Sequence, residues 1–139
     1  MDTVTAAWVD WLGRMDWDYA VDLTFRVPTS VARGRRKVRR WLRALGSKAY
    51  GAAIFARGRI GGRWHAHVLL GGVGRKPGTE AAIRSQAWRY CGRTTVEPYS
   101  PRKGPRGGMI QYRVADQDHD LGELTLMGAP RPYHPRRRR

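Results

Sequence analysis

Along residues 19–26 the apolar side chains Tyr19, Val21, Leu23 and Phe25 alternate with Ala20, Asp22 and Thr24. A period of two sends successive side chains to opposite faces, so this stretch predicts a β-strand with Asp22 and Thr24 on its less apolar side and Pro28 at its end. Residues 63–70 repeat the pattern: Trp64, Ala66, Val68 and Leu70 share an apolar face, and His65 and His67 share the other. Residues 49–56 are almost wholly apolar, and Gly58, Gly61 and Gly62 separate them from the histidine stretch. That spacing predicts an antiparallel hairpin with its turn over 57–62. Residues 93–98 are a short β-branched run and predict a further strand; residues 121–126 predict a last strand or turn.

Helical spacing replaces alternation in three places. Over residues 3–13, Ala6, Ala7, Trp8, Trp11 and Leu12 make an apolar stripe, with Thr3 or Thr5 as cap and Gly13 at the end. Its tryptophans are read as core. Residues 28–45 predict a long helix with Thr29 or Ser30 as cap, Val31, Val38, Leu42 and Leu45 toward a sheet, and Gly46 as its stop. Residues 79–90 predict a third helix, capped by Thr79, with Ile83, Ala87 and Trp88 inward. Residues 99–108 form a basic Pro/Gly loop, and residues 108–114 fit either a helix or a strand. The order helix, strand, helix, hairpin, helix, strand predicts an α+β fold, an antiparallel sheet with helices packed on it. One domain is expected over residues 1–127. Pro130, Pro132, Pro135 and Arg136 to Arg139 predict a disordered basic tail over 128–139. There are no internal repeats.

Composition changes this picture mainly through charge. The chain of 139 residues is 41% apolar and has six tryptophans, enough for one packed core. Its net charge is +16, nearly all of it from Arg, which grips phosphates in bidentate fashion. Such a balance implies a polyanionic partner, nucleic acid first. The densest block lies on the long helix, where Arg36 and Arg40, and Arg39 and Arg43, stand one turn apart; this is either a solvated basic face or a phosphate-binding one, in which a bound phosphate relieves the repulsion. No apolar run reaches the 18 residues or so of a membrane span. The first residues lack a basic segment followed by an apolar one, so no signal peptide is expected. The single Cys91 rules out an internal disulfide and a cysteine zinc cage and is expected to be buried and inert. The expectation is a cytoplasmic protein with no membrane partner. Residues 71–78 are Gly-rich but lack the GKS or GKT ending of a P-loop, which excludes nucleotide binding of that kind there.

The candidate chemistry sits on the alternating stretch Arg63-Trp64-His65-Ala66-His67-Val68-Leu69-Leu70. Two imidazoles at i and i+2 on one strand lie roughly 6–7 Å apart at Cα, which lets two neutral ring nitrogens converge on a divalent cation. Asp22-Leu23-Thr24-Phe25 precedes it, then the long helix; Trp88, Gly92, Val96-Glu97 and a Gly107-Gly108 segment with Tyr112 follow. In this order the motifs resemble the HUH endonuclease superfamily, most closely the rolling-circle replication initiators of plasmids and single-stranded DNA viruses. The likeness covers roughly residues 17–116.

The resemblance implies a ferredoxin-like palm in which His65 and His67 bind Mn²⁺ or Mg²⁺. Imidazole ligands favour Mn²⁺ in affinity. It implies further that Tyr112 attacks a phosphodiester of single-stranded DNA, at an origin or hairpin, to give a 5′-phosphotyrosine and a free 3′-hydroxyl. Arg36, Lys37, Arg40 and Arg43 of the long helix, with Arg63, Arg102, Lys103 and Arg106, are expected to hold the DNA. Three features depart from the family pattern. The segment Phe55-Ala56-Arg57 has no acid where the family has a Glu, leaving Glu97, Asp22 or an acid within 116–120 as the third ligand. Ala115 and Asp116 stand where the family has a Lys after its tyrosine, and one tyrosine replaces the pair found in some initiators. His119 is a lesser ligand candidate; Tyr90 and Tyr99 are read as structural, with Tyr99 the next to test if Tyr112 is not the nucleophile, and His134 is read as solvent-exposed. The alternative reading is a catalytically degenerate nucleic-acid-binding protein of the same fold.

Overall fold

The computed structural model describes residues 3–57, 62–101 and 120–134, with backbone alone over 120–123. Within these lie α1 (Thr3–Gly13), β1 (Tyr19–Phe25), α2 (Val31–Leu45), β2 (Tyr50–Arg57), β3 (His65–Gly71), α3 (Thr79–Tyr90), β4 (Gly92–Pro98) and β5 (Asp120–Met127). The strands form one sheet in the order β4-β1-β3-β2-β5, every neighbouring pair antiparallel. The run β1-α2-β2-β3-α3-β4 in the order 4-1-3-2 is a doubled split βαβ unit, the ferredoxin-like arrangement. β5 adds an outer strand on β2, with a bulge between Ile54 and Ala56. The α+β class expected from the element order is the one found.

Alternation along the strands builds two unlike faces. Tyr19, Val21, Leu23, Phe25, Ala53, Phe55, Ala66, Val68 and Leu70 form a continuous apolar surface under α2 and α3, filled by Val38, Trp41, Leu42, Ile83 and Ala87. The Trp41 indole donates to the Ile83 carbonyl at 3.2 Å, so burying this ring leaves no polar atom unmet and ties α2 to α3. At Gly34 a Cβ would stand 3.0 Å from the Phe55 ring and 3.1 Å from that of Phe25, so the missing side chain lets α2 lie close on the sheet. Among the described residues a helix covers the opposite face at one end. There Leu12, Val9 and Trp11 of α1 pack with Trp17, Ala20, Tyr50, Ala52, Ile54 and Leu69. Trp17 Nε1 donates to the Leu12 carbonyl at 2.8 Å, holding the end of α1 to the start of β1.

Four local expectations are corrected. α2 begins at Val31 rather than residue 28, because Ser30 takes the cap and its Oγ accepts from Arg33 N at 3.2 Å. The cap of α3 is Gly78 rather than Thr79: its φ of 88° is a conformation that Thr avoids and Gly adopts freely. Trp88 points outward, 58% exposed, whereas Ile83 and Ala87 are buried. Those two stand one turn apart, and five residues beyond Ile83 a side chain has rotated about 140° away from the buried line. Finally, the chain is not a free tail from residue 128. Asp16 N donates to the Arg131 carbonyl and Tyr133 N to the Arg14 carbonyl, both at 2.8 Å, with Met15 and Pro132 bridged between them. Pro132 lacks an N–H but none is needed at its place in this edge pairing. Residues 135–139 lie outside the described residues.

Candidate functional site

The end of the sheet that α1 leaves uncovered carries polar side chains in two rows set by strand register. Thr24 of β1 lies opposite His65 of β3 on one side and Arg93 of β4 on the other. Two residues along, Asp22 lies between His67 and Thr95. One step further the row is Leu69, Ala20 and Glu97, where the apolar cluster under α1 begins. On the β2 side the histidines are flanked by Ile54 and Ala56. The site is therefore a polar island on an otherwise apolar sheet face.

Its centre is an ordered chain of contacts. His67 is 6% exposed, and its Nδ1 lies 2.7 Å from Asp22 Oδ1. A carboxylate oxygen only accepts, so Nδ1 carries a proton, and in the neutral ring that leaves Nε2 as the atom able to ligate. Thr95 Oγ1 donates to Asp22 Oδ2 at 3.2 Å, which fixes the carboxylate in turn. The His65 ring stands at 89° to that of His67, with centroids 4.9 Å apart. Its Nδ1 faces the Arg63 carbonyl at 3.4 Å, a long contact that favours the same tautomer. Burial, and then the neighbouring His67, push the His65 pKa below its ordinary value. Both effects keep that ring neutral near pH 7, the form in which imidazole binds metals.

These residues fit a divalent ion in part. The two imidazoles can supply nitrogen donors, and a carboxylate behind a ligating histidine is the usual orienting group of such sites. Among the described residues no group of three His, Cys, Asp or Glu side chains comes together as a metal cage. Of the acids left open as a third ligand, Asp22 lies against His67, Glu97 shares the face one row away, and 116–119 fall outside the described residues, as does His119.

Comparison with protein-family models, curated proteins and solved structures finds no match for this chain. The likeness to HUH endonucleases therefore rests on the residues quoted above.

The other expected site residues divide three ways. Tyr112, Arg102, Lys103 and Arg106 lie outside the described residues. Arg36, Lys37, Arg40 and Arg43 lie on α2, against the sheet face opposite the histidines; Arg36, Arg40 and Arg43 are exposed, and Lys37 Nζ sits 5.8 Å from the Phe25 ring. They do not join the histidine site. Arg63 does: it lines a cleft of about 350 Å³ with Thr24, Phe25, Arg26, Trp88 and Arg93, at the sheet end where His65 stands. Tyr99 packs at the far end of the same sheet face, beside the apolar cluster under α1.

Sequence reasoning missed Thr95, Arg93, Arg26 and Trp88. Alternation in 93–98 already set Arg93, Thr95 and Glu97 on one face of a strand. It gave no sign that this strand would lie beside β1, because pairing with a strand some 70 residues earlier leaves no local pattern.

Proposed function

We propose that the protein is a metal-dependent single-stranded DNA endonuclease of the HUH type, which nicks and rejoins DNA through a tyrosine, as in rolling-circle replication initiation. The observation that supports this reading is the Asp22–His67 contact, which fixes the His67 ring beside that of His65 on one sheet face. On this reading His65 and His67 would hold Mn²⁺ or Mg²⁺, and such an ion would supply Lewis-acid neutralisation of the phosphate and its leaving oxygen. Asp22, steadied by Thr95, orients His67. Tyr112 Oη attacks phosphorus, the bond to the 3′-oxygen breaks, and that oxygen takes up a proton. The strand end is left as a 5′-phosphotyrosine that a 3′-hydroxyl can later displace. The surplus of arginine serves the phosphates of the strand.

The test is a denaturing gel of protein with labelled single-stranded DNA, with Mn²⁺ and with chelator. A metal-dependent adduct that disappears in Tyr112→Phe supports the reading. An adduct that persists would move the nucleophile, with Tyr99 next to be replaced. A second reading, a nucleic-acid-binding domain without cleavage, is favoured by one observation: the β2 side chains beside the histidines are Ile54 and Ala56, neither of which can ligate. It predicts binding with a steep salt dependence and no adduct.

A further inference from the structure

We propose that the cleft beside His65 is a nucleotide subsite for single-stranded nucleic acid. Trp88 stacks one base, and Arg26, Arg63 and Arg93 hold the phosphates on either side of it. The proposal rests on the reading of the histidine face as a nucleic-acid site and adds where the strand runs next.

Three observations meet here. Trp88 is the only tryptophan among the exposed large apolar side chains of the described residues, and it is 58% exposed. An indole held in water on a rigid helix offers an aromatic face that any base can stack on. The Arg26 guanidinium lies over this ring, 5.1 Å from its centroid, and its Nη2 donates to the Arg89 carbonyl at 2.9 Å. That contact pins Arg26 and braces the indole from one side, so little side-chain freedom is lost on binding. The cleft wall is completed by Thr24, Phe25, Arg63 and Arg93, so three arginines and one exposed indole line the same cleft.

Position then sets the role. Arg93 and His65 flank Thr24 in register, which puts their Cα atoms about 10 Å apart across two strand spacings. A nucleotide in the cleft is thus a near neighbour of a phosphate at the histidines. A volume of about 350 Å³ has room for one base. The chain therefore leaves the histidine face across the β4 edge toward the end of α3. The occupant is a nucleic-acid strand rather than a free mononucleotide, because three arginines line this one small cleft, more positive charge than a single phosphate requires.

The experiment compares three probes on the whole protein in chelator, by fluorescence anisotropy: labelled oligothymidylate, a base-free deoxyribose-phosphate strand of equal length and charge, and thymidine monophosphate as competitor. Wild type should prefer the base-bearing strand, and Trp88→Ala should reduce that preference about tenfold. Trp88→Phe should restore most of it. Arg93→Gln should weaken both strands alike. Circular dichroism and Mn²⁺ affinity should be unchanged in Trp88→Ala, since the indole is exposed and lies off the histidine rows. A Trp88→Ala protein that keeps the full preference for bases would overturn the proposal, as would a mononucleotide that binds as tightly as the strand. Failure of the nuclease reading would appear separately, as no adduct and no Mn²⁺ binding, with the base preference and its loss still measurable.

Discussion

Asp22 gives the sharpest test of how the histidine pair is built. Its Oδ1 meets His67 Nδ1 at 2.7 Å and its Oδ2 accepts from Thr95 Oγ1 at 3.2 Å, so three substitutions remove different parts of one device. Asp22→Asn can keep both contacts. The amide oxygen accepts from Nδ1–H, and the Thr95 hydroxyl turns to accept from the amide nitrogen. Only the negative charge behind the ring is lost. Asp22→Ala removes charge and contact together and frees the ring to turn or change tautomer. Thr95→Val removes a single hydrogen bond to a carboxylate that is 37% exposed, where water takes the vacated place.

Groups behind a ligating histidine typically contribute about 10- to 100-fold in metal affinity, or roughly 1.4–2.7 kcal/mol. Asp22→Asn belongs near the lower end of that range and Asp22→Ala near the upper. Thr95→Val should cost about 0.5 kcal/mol, a factor of two to three, as expected for one solvent-replaceable hydrogen bond. Titration calorimetry with Mn²⁺, checked by electron paramagnetic resonance of the free ion, reads all three. Graded losses in the order Thr95→Val, Asp22→Asn, Asp22→Ala are expected, with His67→Ala below them all. Equal affinity in Asp22→Ala and wild type, alongside loss of binding in His67→Ala, would refute the orienting role. Unchanged affinity in His67→Ala would remove the site itself.

Other consequences are simpler to state. Replacing Arg36, Arg40 and Arg43 together by Gln should lower the salt slope of single-strand binding by about 2, at roughly 0.7 per lost phosphate contact, and leave Mn²⁺ affinity intact because α2 lies across the sheet. A slope equal to wild type would show that this face is merely solvated. Gly92→Ala should cost about 2–4 kcal/mol in denaturant unfolding: at φ 158° a Cβ would stand 2.2 Å from the Thr24 carbonyl oxygen, where β1 pairs with β4. A change within 0.5 kcal/mol or so would mean that this strand pairing yields easily. Burial pushes the Cys91 thiol up to about 12, so the folded protein should resist alkylation at pH 8 and react once unfolded. The folded pKa is raised, so this group's contribution is whole below the unfolded value of 9.0 and declines as pH climbs toward 12. The decline is at most about 1.4 kcal/mol per pH unit, and unfolding curves across that window check it.

The sequence made the faces legible and left the neighbours hidden. Alternation placed His65 and His67 opposite Ala66 and Val68, and Asp22 and Thr24 opposite Leu23 and Phe25, and the sheet keeps both divisions. What alternation does not encode is which strands lie side by side, since the cross-strand partner of a residue is set by topology and register. The Asp22–His67 contact spans 45 positions and the Asp22–Thr95 contact 73. Helix interiors read less well where one residue decides the outcome. Trp88 follows Ala87 directly, and its size suggested burial. The helical rotation past Ile83 turns it to solvent, and no property of the residue itself could say so.

The two faces also sort the arginines, which composition alone lumps together. Among the described residues α2 and α3 pack on one face of the sheet and α1 on one end of the other, which leaves polar side chains at the remaining end of that second face. The histidine rows occupy it. The α2 arginines lie behind the covered face, separated from those rows by the thickness of the sheet and its packed core, about 10 Å of apolar matter. An interaction across that distance is weak beside one at 3–4 Å. The α2 charges can therefore raise the affinity for a polyanion but cannot position a phosphate at His65. Arg93 can, because strand register sets it across Thr24 from His65, and Arg63 lines the same cleft two residues before His65. Neutralising Arg93 should therefore change what the site does with a strand, whereas neutralising Arg40 should change only how strongly the protein holds one.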